Sequence, residues 1–354
     1  EVINIADNAV IDLNFSEGVT LNGYFAPFKG NLTINGGTIN NTNGEYSAIE
    51  ITSGELNLDN VNISSARHGV RIDGAVTATI EGGEYRLSAT SGTRHAVNVS
   101  GAADVTIKAG TFVGPKGTTM DSGSAVNVQT GSTVTIEGGD FSKGKNNTLS
   151  AAGTLIVKGG TFDQVVKGSY LAEGYVCQMN ADNKYEVFFA VASITNANGT
   201  LYYASLQAAI NAAENGETVK VEANVEATVM PTADSTNNLD NCLVYVANDK
   251  TIIIDLNGKT ITVNGSDEAI YDVLAIRNHG NLTITDSNAT AGTIKLNYDG
   301  TQEFGSSQIH STILNFGTLT IDKVNIVNNA TKGYTSHAIF NYSWGGNAIL
   351  TING

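Results

Sequence analysis

Apolar and polar residues alternate along this chain with a period of two, in short stretches that share one phrase. Asn31-LTINGGTI, Glu55-LNLDNVNI, Thr77-ATIEGGEY, Asp104-VTIKAGTF, Thr133-VTIEGGDF and Thr154-LIVKGGTF succeed one another at intervals of 21 to 29 residues. Leu56 and Leu58, Val105 and Ile107, and Val134 and Ile136 fall on one face, while Asn57, Thr106 and Thr135 fall on the other. That pattern predicts strands with one buried side. A second alternating segment precedes each motif, in Ala48-IEI, Gly69-VRI, Ala96-VNV and Ala125-VNV, and a glycine-containing turn such as Thr52-SGE or Gly101-AAD joins the two. A third follows the Gly-Gly step and carries one large apolar residue. Three short strands per repeat with no helix between them predict an all-β fold, a parallel β-helix in which each repeat is one coil of a solenoid.

Coils stacked about 4.8 Å apart place equivalent residues over one another. The alignment therefore predicts an inward column of Ile39, Ile63, Tyr85, Phe112, Phe141 and Phe162. It also predicts an outward column of Asp59, Glu81, Lys108, Glu137 and Lys158, whose sign alternates after the first pair. The Gly-Gly pairs beginning at Gly36, Gly82, Gly138 and Gly159 read as corners that need positive φ and close packing of adjacent coils. No Gly-x-x-x-x-Gly-Lys-Ser/Thr segment follows a strand, so these glycines do not make a phosphate loop.

After Phe162 the phrase gives way to Tyr170-LAEGYVCQMNADNKYEVFF, two alternating segments around an Asn-Ala-Asp-Asn turn, which predicts a closing hairpin. Tyr203-ASLQAAINAAENGETVKV then spaces Leu206, Ile210 and Ala213 as on a helix, with Ser205 as N-cap and Gly216 just past the end. The repeat grammar resumes, with longer periods, in Thr251-IIIDLNGKTITVNG, Asn281-LTITDSN, Thr318-LTIDKVNI and Ala348-ILTING. The expected organisation is a first β-helix over residues 1–190 ending in the hairpin, a junction with a capping helix over 191–217, and a second β-helix over 218–354. The chain opens at Glu1 and stops at Asn353-Gly354 inside another motif, so the expectation is a segment truncated at its C-terminus, with targeting and anchoring parts elsewhere.

Composition narrows the class of partner. Charged residues make up 15% of the chain and the formal net charge is −15. A negative surface repels phosphate backbones and anionic lipid, which argues against nucleic acid and membrane surfaces as partners. The longest apolar run, Val187 to Ile194, is too short to insert in a membrane. Cys177 and Cys242 lie far apart in no metal-ligand spacing, and buried free thiols are expected. No metal site and no cofactor is expected, and the negative net charge suits an extracellular protein.

The Gly159-GTF corner, the Tyr203-ASLQAAI helix before Gly216-ETVKV, and Ile254-DLNGKTI resemble the pectin-lyase-like right-handed β-helix superfamily. More narrowly, they are similar to large repetitive surface proteins of host-associated bacteria, and the resemblance covers nearly the whole chain. It implies an adhesin-like protein, secreted or associated with the cell wall, whose partners are extracellular glycans or a host surface. The superfamily also includes enzymes that cleave polyuronides. Their Asn-Thr-Asp, paired Asp and Gly-His-Gly segments have only fragments here, Asn41-TNG and Arg67-HGVRI, and no Asp-rich calcium loop of the lyase kind is present around Asp286-SN. No catalytic residues are expected. The alternative, a polysaccharide lyase or glycoside hydrolase acting on acidic polysaccharides, would use the strand bearing Glu50 and Arg71 or the long loop after Lys295. A third alternative is a fibre module of the phage type, which requires trimers.

One cluster stands out as a ligand-binding candidate. Of five arginines, Arg67, Arg71, Arg86 and Arg94 fall within 28 residues, and the coil alignment lays Ser65-ARHGVRI beneath Gly92-TRHAVNV. Arg67 then lies over Arg94 and His68 over His95. Like charges one strand spacing apart repel unless an anion or carboxylates intervene. Either the cluster binds an acidic glycan group through bidentate arginine contacts, or Glu45, Glu50 and Glu84 neutralise it. A second candidate is Tyr342 with Trp344, the only tryptophan, whose rings would stack on sugar faces if exposed and would otherwise be packing.

Overall fold

A computed structural model describes residues 1–16, 18–115, 117, 119–229, 241–265, 272–299, 309–331, 336–343 and 348–353. The described residues are mostly strands in parallel sheets, with a single α-helix, Leu206–Ala212. The chain divides into two compact units, Glu1–Phe189 and Ala190–Gly354.

In the first unit each motif strand pairs in parallel with the motif of the next repeat and in the register that the alignment predicts. Val105 lies beside Ala78 and Val134, and Ile107 beside Ile80 and Ile136. The alternation of the sequence becomes an alternation of burial: Val105 and Ile107 are buried and Asp104 is exposed. The upstream segments make their own parallel run through Ile49, Val70, Val97, Val126 and Leu149. In two repeats the upstream segment and the motif fuse into one long strand, Ile49–Asp59 and Val70–Ile80, with a register shift between Ile51 and Ser53. The turn expected between them is thus a bulge and not a break.

The inward column forms as expected. Ile39 pairs with Ile63, then Tyr85, Phe112, Phe141 and Phe162 follow one per repeat. The four rings stack at centroid distances of 4.7, 4.9 and 4.9 Å. In the outward column the described residues close one ion pair, Lys108 to Glu81 at 2.5 Å, with both side chains about half exposed. Such a pair contributes at most about 1 kcal/mol.

The Gly-Gly corner meets both of its demands, positive φ and close approach of repeats. Gly83 has φ +94° and a Cβ there would lie 2.0 Å from the Val61 carbonyl oxygen. Gly159 has no unusual φ, but a Cβ would lie 2.1 Å from the Glu137 oxygen of the preceding repeat. The second glycine supplies the positive φ, and both leave no room for a Cβ against the preceding repeat.

The hairpin arrives as predicted. Tyr175–Met179 and Tyr185–Phe189 pair antiparallel, and Tyr185 adds antiparallel to Phe162 at the end of the column. Asn180 shapes its turn by accepting the backbone N–H groups of Asp182 and Lys184 through its side-chain oxygen, each at 3.1 Å. The two cysteines are free, but only Cys242 is buried; Cys177 is half-buried because it lies on this peripheral hairpin.

The second unit opens on a hairpin that the sequence reading passed over, Ala192–Asn196 with Gly199–Tyr203. Its first strand pairs antiparallel with Thr218–Val221, and every later strand of that sheet is parallel. Ser205 caps the helix by accepting the Ala208 amide at 3.2 Å, and Gly216 takes φ +91° past its end. Leu206, Ala209 and Ile210 are buried in the second unit's own core. Each later repeat adds one strand to each of three sheets.

One of those sheets carries a buried polar line. Asn278 and Asn315 are both fully buried. The Asn278 amide donates to Asn315 Oδ1 at 2.7 Å, and the Asn315 amide donates to Asn341 Oδ1 at 2.6 Å and to the Gly317 carbonyl at 3.0 Å. Replacing Asn315 by alanine takes the Asn315 donor from the Gly317 and Ile349 carbonyls and one acceptor from the Asn278 amide, which keeps the Gly280 and Thr318 carbonyls, and a loss of about 2 kcal/mol is expected in urea unfolding. A loss indistinguishable from that of an exposed Asn, such as Asn329→Ala, would show that the buried line carries no stability.

Candidate functional site

Five of the seven predicted binding residues come together in the first unit. The parallel register that sets Val70 beside Val97 brings residues 68 and 95 alongside, and the imidazole rings of His68 and His95 stack at 5.5 Å with planes 5° apart. Both are buried, at 8% and 5% exposure. Strand geometry positions the rings, and backbone amides hold them. His95 N–H donates to His68 Nδ1 at 3.0 Å, and Ser124 N–H donates to His95 Nδ1 at 3.2 Å, where the Ser124 hydroxyl also lies at 2.7 Å.

Below His68 the polar chain continues. Ser65 Oγ donates to the His68 carbonyl at 2.9 Å, accepts the Arg67 amide at 3.2 Å and receives the Asn41 amide at 3.2 Å. These contacts fix the bend in which Arg67 and His68 sit. Burial first, then the charges of His95, Arg67, Arg94 and Arg71, pushes the pKa of His68 down to about 3. Burial first, then Arg94, pushes that of His95 to about 4. At neutral pH both rings are uncharged.

The arginines divide by partner. Arg71 is held by Glu50 at 3.3 Å and by Asp73 at 2.7 Å, and Arg86 pairs with Glu84. Arg94 donates from Nη1 to the Thr93 carbonyl at 2.9 Å. Arg67 makes no ion pair among the described residues, and its Nε is buried without a hydrogen-bond partner. Glu45, a predicted neutraliser, is exposed, and its backbone amide donates to Asn43. Neutralisation by carboxylates therefore accounts for Arg71 and Arg86 and leaves Arg67 outside it. Asp73, a partner the sequence reading did not name, follows Arg71 by two on the same strand, a same-face spacing that the sequence displays.

The second candidate is elsewhere. Tyr342 is 37% exposed, stacks on Phe340 at 5.4 Å and meets the edge of Phe316 at 5.8 Å. Trp344 lies outside the described residues, as does most of the long loop after Lys295. Phe316 also takes the Arg277 guanidinium over its face at 5.5 Å and stacks on His279 at 4.5 Å, an aromatic row that the sequence reading did not assemble. The signal was there: Asn278-HG and Asn315-FG repeat the same Asn-aromatic-Gly step.

Among the described residues no three His, Cys, Asp or Glu side chains converge as a metal site, and no helix is long and apolar enough to cross a membrane. Comparisons with family models, with characterised proteins and with solved structures return no match.

Proposed function

We propose that each unit is a right-handed parallel β-helix of the pectin-lyase-like kind, and that the protein is a secreted or wall-displayed bacterial scaffold. On this reading it is adhesin-like and binds acidic glycans, without catalysis, on the arginine and histidine face of its first unit. The architecture is supported by repeat-to-repeat parallel pairing in three strand positions, together with the strong bias of parallel crossovers to the right hand. The binding half rests on one observation: Arg67 keeps a buried Nε without a partner and makes no ion pair among the described residues, beside two buried, uncharged imidazoles. A guanidinium in that state favours a carboxylate or sulfate arriving from outside.

A panel of acidic and neutral oligosaccharides tests this. Wild type is expected to retain acidic members selectively, and the double substitution Arg67→Ala with Arg94→Ala is expected to weaken retention at least tenfold. Unchanged retention in the double variant would remove the face from consideration. Depolymerisation of pectic or other acidic polysaccharides, with or without calcium, would replace the scaffold reading by that of a lyase or hydrolase using Glu50 and Arg71.

A further inference from the structure

The tautomers of the stacked histidines follow from their partners. A backbone N–H can only donate, so His68 Nδ1, facing the His95 amide, and His95 Nδ1, facing the Ser124 amide, are both bare acceptors. An uncharged imidazole carries one hydrogen, so both rings carry it on Nε2. Because the planes lie within 5° and each Nδ1 faces the amide one repeat further on, the two Nε2–H groups point the same way. Neither has a protein acceptor among the described residues, although the rings are more than nine-tenths buried. Neither Nε2 is among the buried atoms that lack a partner, so both reach solvent.

The surroundings offer donors and positive charge. At neutral pH the charges that act on His68 come from Arg67, Arg94 and Arg71, and the one that acts on His95 comes from Arg94. Among the described residues no carboxylate is a cause of either ring's shift. A metal ion does not fit, because an Nε2 that carries hydrogen has no lone pair to give and the bare Nδ1 atoms are already in use. Two parallel N–H donors one repeat apart, with Arg67 next in sequence to His68, acting on it by charge and in no ion pair among the described residues, call for an acceptor with at least two oxygens and negative charge.

We infer that the Nε2–H groups of His68 and His95 form a two-donor row that, with Arg67, seats a single oxyanion, a carboxylate or sulfate group carried on a sugar, across two adjacent repeats. The sugar as carrier rests on the glycan reading above, whereas the oxyanion seat rests on the side chains alone. Uncharged donors make the seat one that holds its anion by hydrogen bonds from the rings and by charge from the arginine only.

The test uses the full chain labelled with nitrogen-15 and long-range proton–nitrogen spectra of its imidazoles at pH 7, titrated separately with sodium sulfate, glucuronate and glucose. Both rings are expected to show hydrogen on Nε2. Sulfate or glucuronate is expected to move both Nε2 resonances together and saturably, with glucose leaving them in place; whichever anion acts at lower concentration identifies the group. Arg67→Gln is expected to raise the half-saturating concentration at least tenfold while the tautomers stay as they are. Hydrogen on Nδ1 of either ring overturns the inference, as does an Nε2 pair that no anion moves. Retention of acidic oligosaccharides without any Nε2 shift sinks the seat and leaves the glycan reading standing. Saturable shifts with the free anions and no retention on the panel support the seat and sink the glycan reading.

Discussion

Phe141→Ala is expected to lower the free energy of unfolding by about 3–5 kcal/mol, the range for deleting a large aromatic from a packed core. Phe141 is fully buried and stacks at 4.9 Å on both Phe112 and Phe162. Removing it forfeits transfer energy, leaves a cavity between two rings, and breaks two stacking contacts worth about 0.5–1.5 kcal/mol each beyond area. The backbone cannot close the gap, because the strand at residues 140–142 is hydrogen-bonded in parallel on both sides. Urea unfolding followed by far-ultraviolet dichroism measures the loss, and a value below about 1 kcal/mol would mean that the column does not hold the first unit together. Phe141→Leu, which keeps much of the volume, is expected to recover more than half of it.

The second large effect is a loss of stability in mild acid. In the folded protein the pKa values of His68 and His95 are depressed to about 3 and about 4, against 6.5 for the free side chain. Both groups therefore favour folding fully above pH 6.5 and progressively less as the pH falls, since the unfolded chain takes up protons that the folded rings refuse. Between pH 6.5 and 4.5 the two rings together are expected to remove about 4 kcal/mol of stability. Asn at both positions keeps an acceptor near the place of Nδ1 and does not titrate. The pair His68→Asn with His95→Asn should flatten the pH dependence over that window whatever its effect at pH 7. Equal slopes for variant and wild type would show that the rings are already protonated, or already neutral in the unfolded chain.

Legibility in the sequence followed the distance over which each feature is specified. The column from Ile39 to Phe162 and the capped helix were readable because each depends on spacing within one repeat, repeated. The hairpin at Ala192–Tyr203 carries a turn signal in Asn196-ANG, but its strands are short and lie outside the repeat phrase, so no neighbouring copy reinforces their alternation. The arginine cluster was visible as composition, but its division into held and unheld members depends on which carboxylates reach which guanidinium. Asp73 holds Arg71 from two residues along the same strand face, a spacing the sequence displays, whereas that Glu45 closes no ion pair among the described residues depends on the path of its loop. The tautomers of His68 and His95 were beyond reach for a related reason, since the amides that fix them come from the next repeat, 27 and 29 residues on.

The register of the first unit also makes length an adjustable quantity. Val134 lies on Val105 as Val105 lies on Ala78, and Phe141 lies on Phe112 as Phe112 lies on Tyr85. Excising one whole period between these rows would seat Val134 over Ala78 and Phe141 over Tyr85, with the same kinds of neighbour as before. Excising a fraction of a period would turn apolar side chains outward and set charges facing inward. Gene duplication or loss can therefore lengthen or shorten such a chain in whole steps at little cost to its interior, and can shift the spacing between surface groups by a fixed increment each time.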